Sequence, residues 1–142
     1  ENNVFICGDA LLPRITPNVS VNPISPDANP LQSWIESLEK IKSVIPNDAL
    51  VLPSHGYPYV GAHHRIDAII DNHLQKLESV LEVITEPKNV TDLFPLLFKS
   101  KINEHTRILA VGETMSHLNF LIGKGENKQT IDKKGLYSFS KT

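Results

Sequence analysis

Asp9 and His55 are the two side chains of this sequence best placed to do chemistry. Asp9 follows the apolar run Val4-Phe5-Ile6-Cys7 and Gly8; His55 lies in Pro53-Ser54-His55-Gly56, directly after Ala49-Leu50-Val51-Leu52. Short apolar runs bounded by turn residues read as buried strands, so both polar groups are delivered at strand C-terminal ends. Layered α/β architectures assemble ligand sites at such ends, so an aspartate and a histidine there are candidates to touch a bound ligand. Each residue also has a plainer use. Asp9 would brace the loop that follows it, and His55 would close a turn; the spacing alone does not choose.

The other histidines are His63, His64, His73, His105 and His117, and no two of the six stand in a His-x-His pattern. His63 and His64 follow the His55 loop closely enough to line a substrate entrance, although adjacent histidines in a first helical turn are commonly exposed. His73 and His117 fall among core-facing positions, where local hydrogen bonds are expected to satisfy them. His105 belongs to a helix start. Cys7, inside an apolar run, reads as a packed small hydrophobe rather than a nucleophile. With no second cysteine an internal disulfide is impossible, which points to a cytoplasmic protein.

The elements that position these groups are legible in the pattern. After the first strand, Pro13, Pro17, Pro23, Pro26 and Pro30 mark a long irregular loop, a length usually reserved for functional or disordered segments. Asn29-Pro30 starts a helix whose core face is Leu31, Trp34, Ile35, Leu38, Ile41 and Ile45. Beyond Gly61 a second helix carries Ile66, Ile69, Ile70, Leu74, Leu77, Val80, Leu81 and Ile84 at helical spacing. The remainder predicts a short helix around Thr91 to Phe98 and a longer one from Asn103 to Gly123. Two strands follow, Lys128 to Ile131 and Leu136 to Phe139, joined by the hairpin turn Asp132-Lys133-Lys134-Gly135. Ile108, Val111, Met115, Leu118 and Ile122 are the expected apolar stripe of the longer helix, with Trp34 and Met115 both core. Three helices and a hairpin describe a winged helix.

Composition limits the class. The chain has 142 residues, 40% hydrophobic and 21% charged, with a formal charge of −2. That apolar fraction supports a packed core, which excludes a disordered or low-complexity chain. No segment approaches the roughly 18 consecutive apolar residues of a membrane span, and the N-terminus has no secretory-signal pattern. Charge is uneven: residues 1–85 carry five Lys/Arg against ten Asp/Glu, and residues 86–142 carry nine against six. Where the sign changes, Glu86-Pro87 interrupts the long helix, so two domains are expected, 1–85 and 86–142. The positive segment permits a polyanion partner, with Lys128, Lys133 and Lys134 as its candidate contacts.

Taken together, Gly8-Asp9-Ala10-Leu11-Leu12, Thr16-Pro17-Asn18, Pro30-Leu31 with Trp34 and Leu38, and Leu52-Pro53-Ser54-His55-Gly56 resemble the C-terminal half of a metallo-β-lactamase-superfamily hydrolase. Gly61, Arg65-Ile66, Leu96-Leu97-Phe98, Gly112-Glu113-Thr114 and His117-Leu118-Asn119 extend the resemblance. They point towards the lactamase-like endoribonuclease and glyoxalase II-like branch that carries a C-terminal winged helix. The implied fold is α+β: the C-terminal part of an αββα sandwich followed by a small helical winged-helix domain.

By this resemblance Asp9 bridges two metal ions, usually zinc, and His55 ligates the second. Ser54 stands where the family usually has Gly. Asn18, His63 and His64 are the candidates for substrate contact. The His-x-His-x-Asp-His motif that completes the binuclear site is missing, so the isolated chain is not expected to hydrolyse an ester, thioester or phosphodiester by itself. It is expected to be the C-terminal portion of a longer hydrolase, produced as a piece or released by proteolysis. Its exposed apolar faces would then associate with the missing N-terminal half or with a second copy, and the intact protein would act on a small molecule or RNA. The alternative is a winged-helix module that binds nucleic acid or another subunit.

Overall fold

A computed structural model describes residues 3–142. The chain divides into two compact units, Glu1–Pro17 with Ser33–His73 and Asn18–Gln32 with Leu74–Thr142. Strand β1 (Val4–Gly8) is followed by helix α1 (Pro30–Val44), strand β2 (Leu50–Pro53) and helix α2 (Ala62–Val83). A 3₁₀ turn (Val90–Leu93), the short helix α3 (Phe94–Leu97), helix α4 (Glu104–Gly123) and strands β3 (Asn127–Ile131) and β4 (Tyr137–Lys141) complete the order. None of the described helices is long and apolar enough to cross a membrane.

In the first unit β1 and β2 pair in parallel, with Val4 opposite Leu50, Phe5 opposite Val51 and Ile6 opposite Leu52. A register shift between Ile6 and Gly8 brings Gly8 opposite Pro53, so the two strands end side by side. The core gathers Cys7, Leu11, Leu38, Val51, Ala62, Ile66, Ile69 and Ile70, with Phe5, Trp34, Ile35, Ile41, Ile45 and Tyr59 packed against it. The apolar residues of both helices recur three or four positions apart, which turns one stripe of each to the strands. His73 is buried, its ring edge-on to Trp34 at 5.4 Å between centroids.

Strand β1 departs from the expectation of a buried strand. Ile6 is 79% exposed, and Val4 and Leu50 are also exposed. In this two-stranded sheet helices cover one face, so alternate side chains point to solvent. A parallel sheet is ordinarily covered on both faces.

The second unit is built around α4. Asn103 caps its N-terminus by accepting a hydrogen bond from Thr106 N, an arrangement that satisfies an otherwise orphaned backbone donor. Strands β3 and β4 form an antiparallel hairpin that runs from Asn127 opposite Lys141 to Ile131 opposite Tyr137. Asp132 closes its turn by accepting from the Lys134 and Leu136 amides. The buried Phe139 exchanges both backbone hydrogen bonds with Lys88, which fastens the hairpin to the segment after α2.

The expected stripe of α4 is corrected here. Of its five residues only Leu118 is buried; Ile108 is 68% exposed, Ile122 is exposed, and Val111 and Met115 are half-buried. Gly112, Glu113, Thr114, Ser116, His117 and Asn119 are buried instead. The cause is the proline-rich loop, which packs on α4 through polar groups. Val21 N donates to Gly112 O at 3.0 Å, and Asn119 Nδ2 donates to the Pro26 and Ala28 carbonyls, both at 2.8 Å. A helix face covered by hydrogen-bonding backbone does not have to be apolar.

Candidate metal centre

Asp9 sits in the turn that leaves β1, closed by Ala10 N donating to Cys7 O at 3.0 Å. The turn requires Gly8 at φ +55°, a left-handed conformation that costs a side-chain-bearing residue roughly 1–2 kcal/mol. His55 sits on the loop that leaves β2. That loop doubles back at once: Val51 N donates to Tyr59 O at 2.8 Å and Tyr59 N to Val51 O at 3.1 Å. The bridge closes the intervening segment into a short projection with His55 exposed on it. Because Gly8 and Pro53 are register partners, and Ser54 N donates to Gly8 O at 3.0 Å, the turn and the projection emerge together.

The result is that Asp9 and His55, 46 positions apart in sequence, are neighbours. His55 Nε2 lies 3.6 Å from Asp9 Oδ1, with side chains 71% and 62% exposed. That separation is too long for a hydrogen bond. It suits a shared cation, since two donors bound tetrahedrally to one zinc at about 2.1 Å stand about 3.4 Å apart. The oxygen–nitrogen donor set also fits zinc. Ser54 Oγ donates to Asp9 Oδ1, so the residue just before His55 holds the carboxylate. No third His, Cys, Asp or Glu completes a metal-binding group among the described residues.

The surrounding scaffold is fixed by Arg65, Tyr59 and Cys7, to which the sequence reading gives no place in the site. Arg65, on α2, donates from Nε to Leu12 O at 2.6 Å and from Nη2 to Ile15 O at 2.9 Å, which anchors the chain just beyond Asp9. Burial lowers its pKa from the usual arginine value. Tyr59 OH donates to Leu11 O at 3.0 Å, and burial, with the Cys7 thiol adding to it, pushes the phenol up to about 12. Cys7 is buried and its Sγ lies 3.3 Å from Leu11 O; desolvation raises the thiol. A neutral, packed cysteine is inert.

The other candidate residues have varied surroundings. His63 Nε2 contacts Ile45 O at 2.8 Å and its amide donates to Asn47 Oδ1, whereas the neighbouring His64 is exposed. Asn18 uses its amide on α4, donating to Glu113 Oε2 at 3.0 Å and to Leu109 O at 3.4 Å. Lys128, Lys133 and Lys134 are exposed on β3 and its turn. His117 is buried on α4 with Nδ1 2.8 Å from Glu113 O.

The chain matches the family model of the metallo-beta-lactamase-like C-terminal domain over residues 77–142. Among solved structures it superimposes on a β-lactamase domain protein from Burkholderia ambifaria with a TM-score of 0.93 at 35% identity, over 98% of this chain and 41% of that one. A metallo-β-lactamase family protein from Thermus thermophilus gives 0.82 at 25% identity, over 99% and 42%. The chain thus spans about two-fifths of the length of these relatives. No curated protein sequence matches it.

Proposed function

Because the chain belongs to the metallo-β-lactamase superfamily, we propose that Asp9 and His55 are two ligands of the binuclear zinc centre of a cytoplasmic hydrolase. The single observation that carries this reading is the 3.6 Å approach of His55 Nε2 to Asp9 Oδ1 at the paired ends of β1 and β2. The remaining ligands come from residues outside this chain, in the rest of a longer parent protein, and association with that part covers Val4, Ile6 and Leu50. When bound, the metal supplies activation of water and polarisation of the bond to be cleaved. This chain's own residues do the positioning. Gly8 and the Cys7–Ala10 turn aim the Asp9 carboxylate, Ser54 holds it, and the Val51–Tyr59 bridge presents the His55 imidazole.

The test is metal content. The intact parent is expected to hold two zinc equivalents per chain by elemental analysis, and Asp9→Ala or His55→Ala to lose them. Unchanged zinc in both variants refutes the assignment.

A winged-helix role in binding nucleic acid is supported by the element order and by the exposed Lys128, Lys133 and Lys134. Against it, most of α4 from Ala110 to Leu121 is buried, and what lies outside that stretch is an exposed turn and a half before it and Ile122-Gly123 after it, with Arg107 as the one Lys or Arg of the helix. Base readout needs several side chains of one helix in a groove. A structural or subunit-contact role suits this α4 better.

A further inference from the structure

Beside His55 the first unit holds an open recess of about 340 Å³ between the segment after Asp9 and the projection that carries His55. Its walls are Leu12, Pro13, Ile15, Tyr57, Pro58 and Tyr59, and His55 and Arg14 supply the polar rim. We propose that this recess seats the acyl group of the substrate: an apolar chain or ring in an ester or thioester whose scissile carbonyl lies at the His55 end. The proposal rests on the hydrolase reading above and narrows its substrate class. Hydrolysis of such a substrate adds water across the C–O or C–S bond, the hydroxyl to the acyl carbon and the hydrogen to the leaving oxygen or sulfur.

Three observations favour an apolar acyl group. The recess has the size of a small-molecule site and the usual mixture of many apolar walls with few polar groups. Of its two phenols, that of Tyr59 is already engaged with Leu11 O. The lining includes no carboxylate and one permanent cation, Arg14, so it repels neither an acyl chain nor its carboxylate product.

The recess is also preformed. Arg65 clamps the carbonyls of Leu12 and Ile15, and the Val51–Tyr59 bridge fixes the opposite wall. Gly56 meets Pro13 so closely that a Cβ at Gly56 would stand 2.7 Å from Pro13 Cγ. A rigid apolar recess binds an apolar group with little ordering cost. Ile15 and Tyr57, 61% and 83% exposed, are apolar surface that such a ligand would cover.

An RNA strand fits less well. Binding a single strand takes a basic groove as well as a stacking surface, and this unit carries four Lys/Arg against seven Asp/Glu.

The experiment titrates octanoate into the intact parent protein, isotope-labelled and stripped of zinc, following backbone amides by NMR, with the dinucleotide UpU as a second probe. Octanoate is expected to give saturable shifts confined to the Leu12–Ile15 and His55–Tyr59 segments, and UpU none. Affinity should fall at least tenfold in Ile15→Asp and in Tyr57→Ser, both at exposed positions where the fold tolerates change. Absence of saturable shifts in those segments overturns the proposal, as does affinity unaltered in both variants. Stronger shifts with UpU also overturn it and assign the recess to a nucleobase. Because zinc is left out, the result is independent of the metal content of Asp9→Ala and His55→Ala. Octanoate binding with undiminished zinc in those variants would refute the centre and keep the recess; zinc loss without octanoate binding would do the reverse.

Discussion

Ser54 Oγ donates its hydrogen bond to Asp9 Oδ1, linking the loop after β2 to the turn after β1 across 45 positions of sequence. In a metal centre such a contact orients the ligand before the ion arrives. Partners of this kind contribute about 10–100-fold to metal affinity. Ser54→Ala, which removes the hydroxyl and little else, is therefore expected to weaken zinc binding of the intact protein about tenfold or more in competition with a chromophoric chelator. An unchanged affinity would show that Asp9 is held without Ser54.

Gly56 has φ +87° and abuts Pro13. Alanine there incurs both the left-handed penalty of about 1–2 kcal/mol and a clash with a ring that cannot fold away. Gly125, at φ +74° with open space around its Cα, incurs the first term alone. Urea denaturation should show Gly56→Ala losing about 2 kcal/mol or more and Gly125→Ala about half as much. Equal losses would mean that the Pro13 contact yields freely.

Glu113 is buried on α4, accepting from Asn18 Nδ2 at 3.0 Å and lying 3.4 Å from Lys76 Nζ, with the two charged side chains 10% and 19% exposed. Glu113→Ala strands a mostly buried ammonium and frees the loop at Asn18. A loss of about 2–4 kcal/mol is expected. Glu113→Gln keeps an acceptor for Asn18 and should lose less. Urea denaturation of the pair reads both values, and equal destabilisation would show that the charge is immaterial.

Burial lowers His117 from the ordinary 6.5 to about 4, against the raising effect of the Glu113 carbonyl. Since a carbonyl only accepts, Nδ1 carries the proton of the neutral ring. The unfolded chain therefore binds a proton that the folded chain refuses between about pH 6.5 and 4. Stability from this group is complete above pH 6.5 and declines as pH falls towards 4, by about 3 kcal/mol in all. An NMR titration of the folded protein should find the His117 ring neutral at pH 5. A midpoint near 6.5 would contradict the burial argument.

Element positions were largely legible because they depend on local rules. Pro30 at a helix start, Asn103 at the beginning of α4 and the Asp132-to-Gly135 turn all fall where the sequence reading puts them. The approach of Asp9 to His55 was legible through the rule that strand ends gather ligands and through the family resemblance, since nothing local encodes a 46-position pairing. What escaped the reading depends on long-range polar contacts. The apolar stripe expected on α4 failed because periodicity assumes that a buried face is greasy, while here the loop covers α4 through polar groups, Val21 N donating to Gly112 O and the Pro26 and Ala28 carbonyls accepting from the Asn119 side chain. Arg65 gave no warning either: an arginine amid helical apolar residues looks solvated, yet its guanidinium ties down two carbonyls of the loop.

The proline-rich loop also bears on how this part of the molecule can be inherited. Residues 18–32 belong to the unit built by 74–142, so the chain changes unit three times, at Pro17, at Gln32 and at His73. A gene segment coding for residues 86–142 alone would deliver α4 with the carbonyl of Gly112 and the amide of Asn119 stripped of their partners. Such a unit cannot be shuffled as a cassette; recombination that moves it must carry the loop along, which ties its evolution to that of the strands bearing Asp9 and His55.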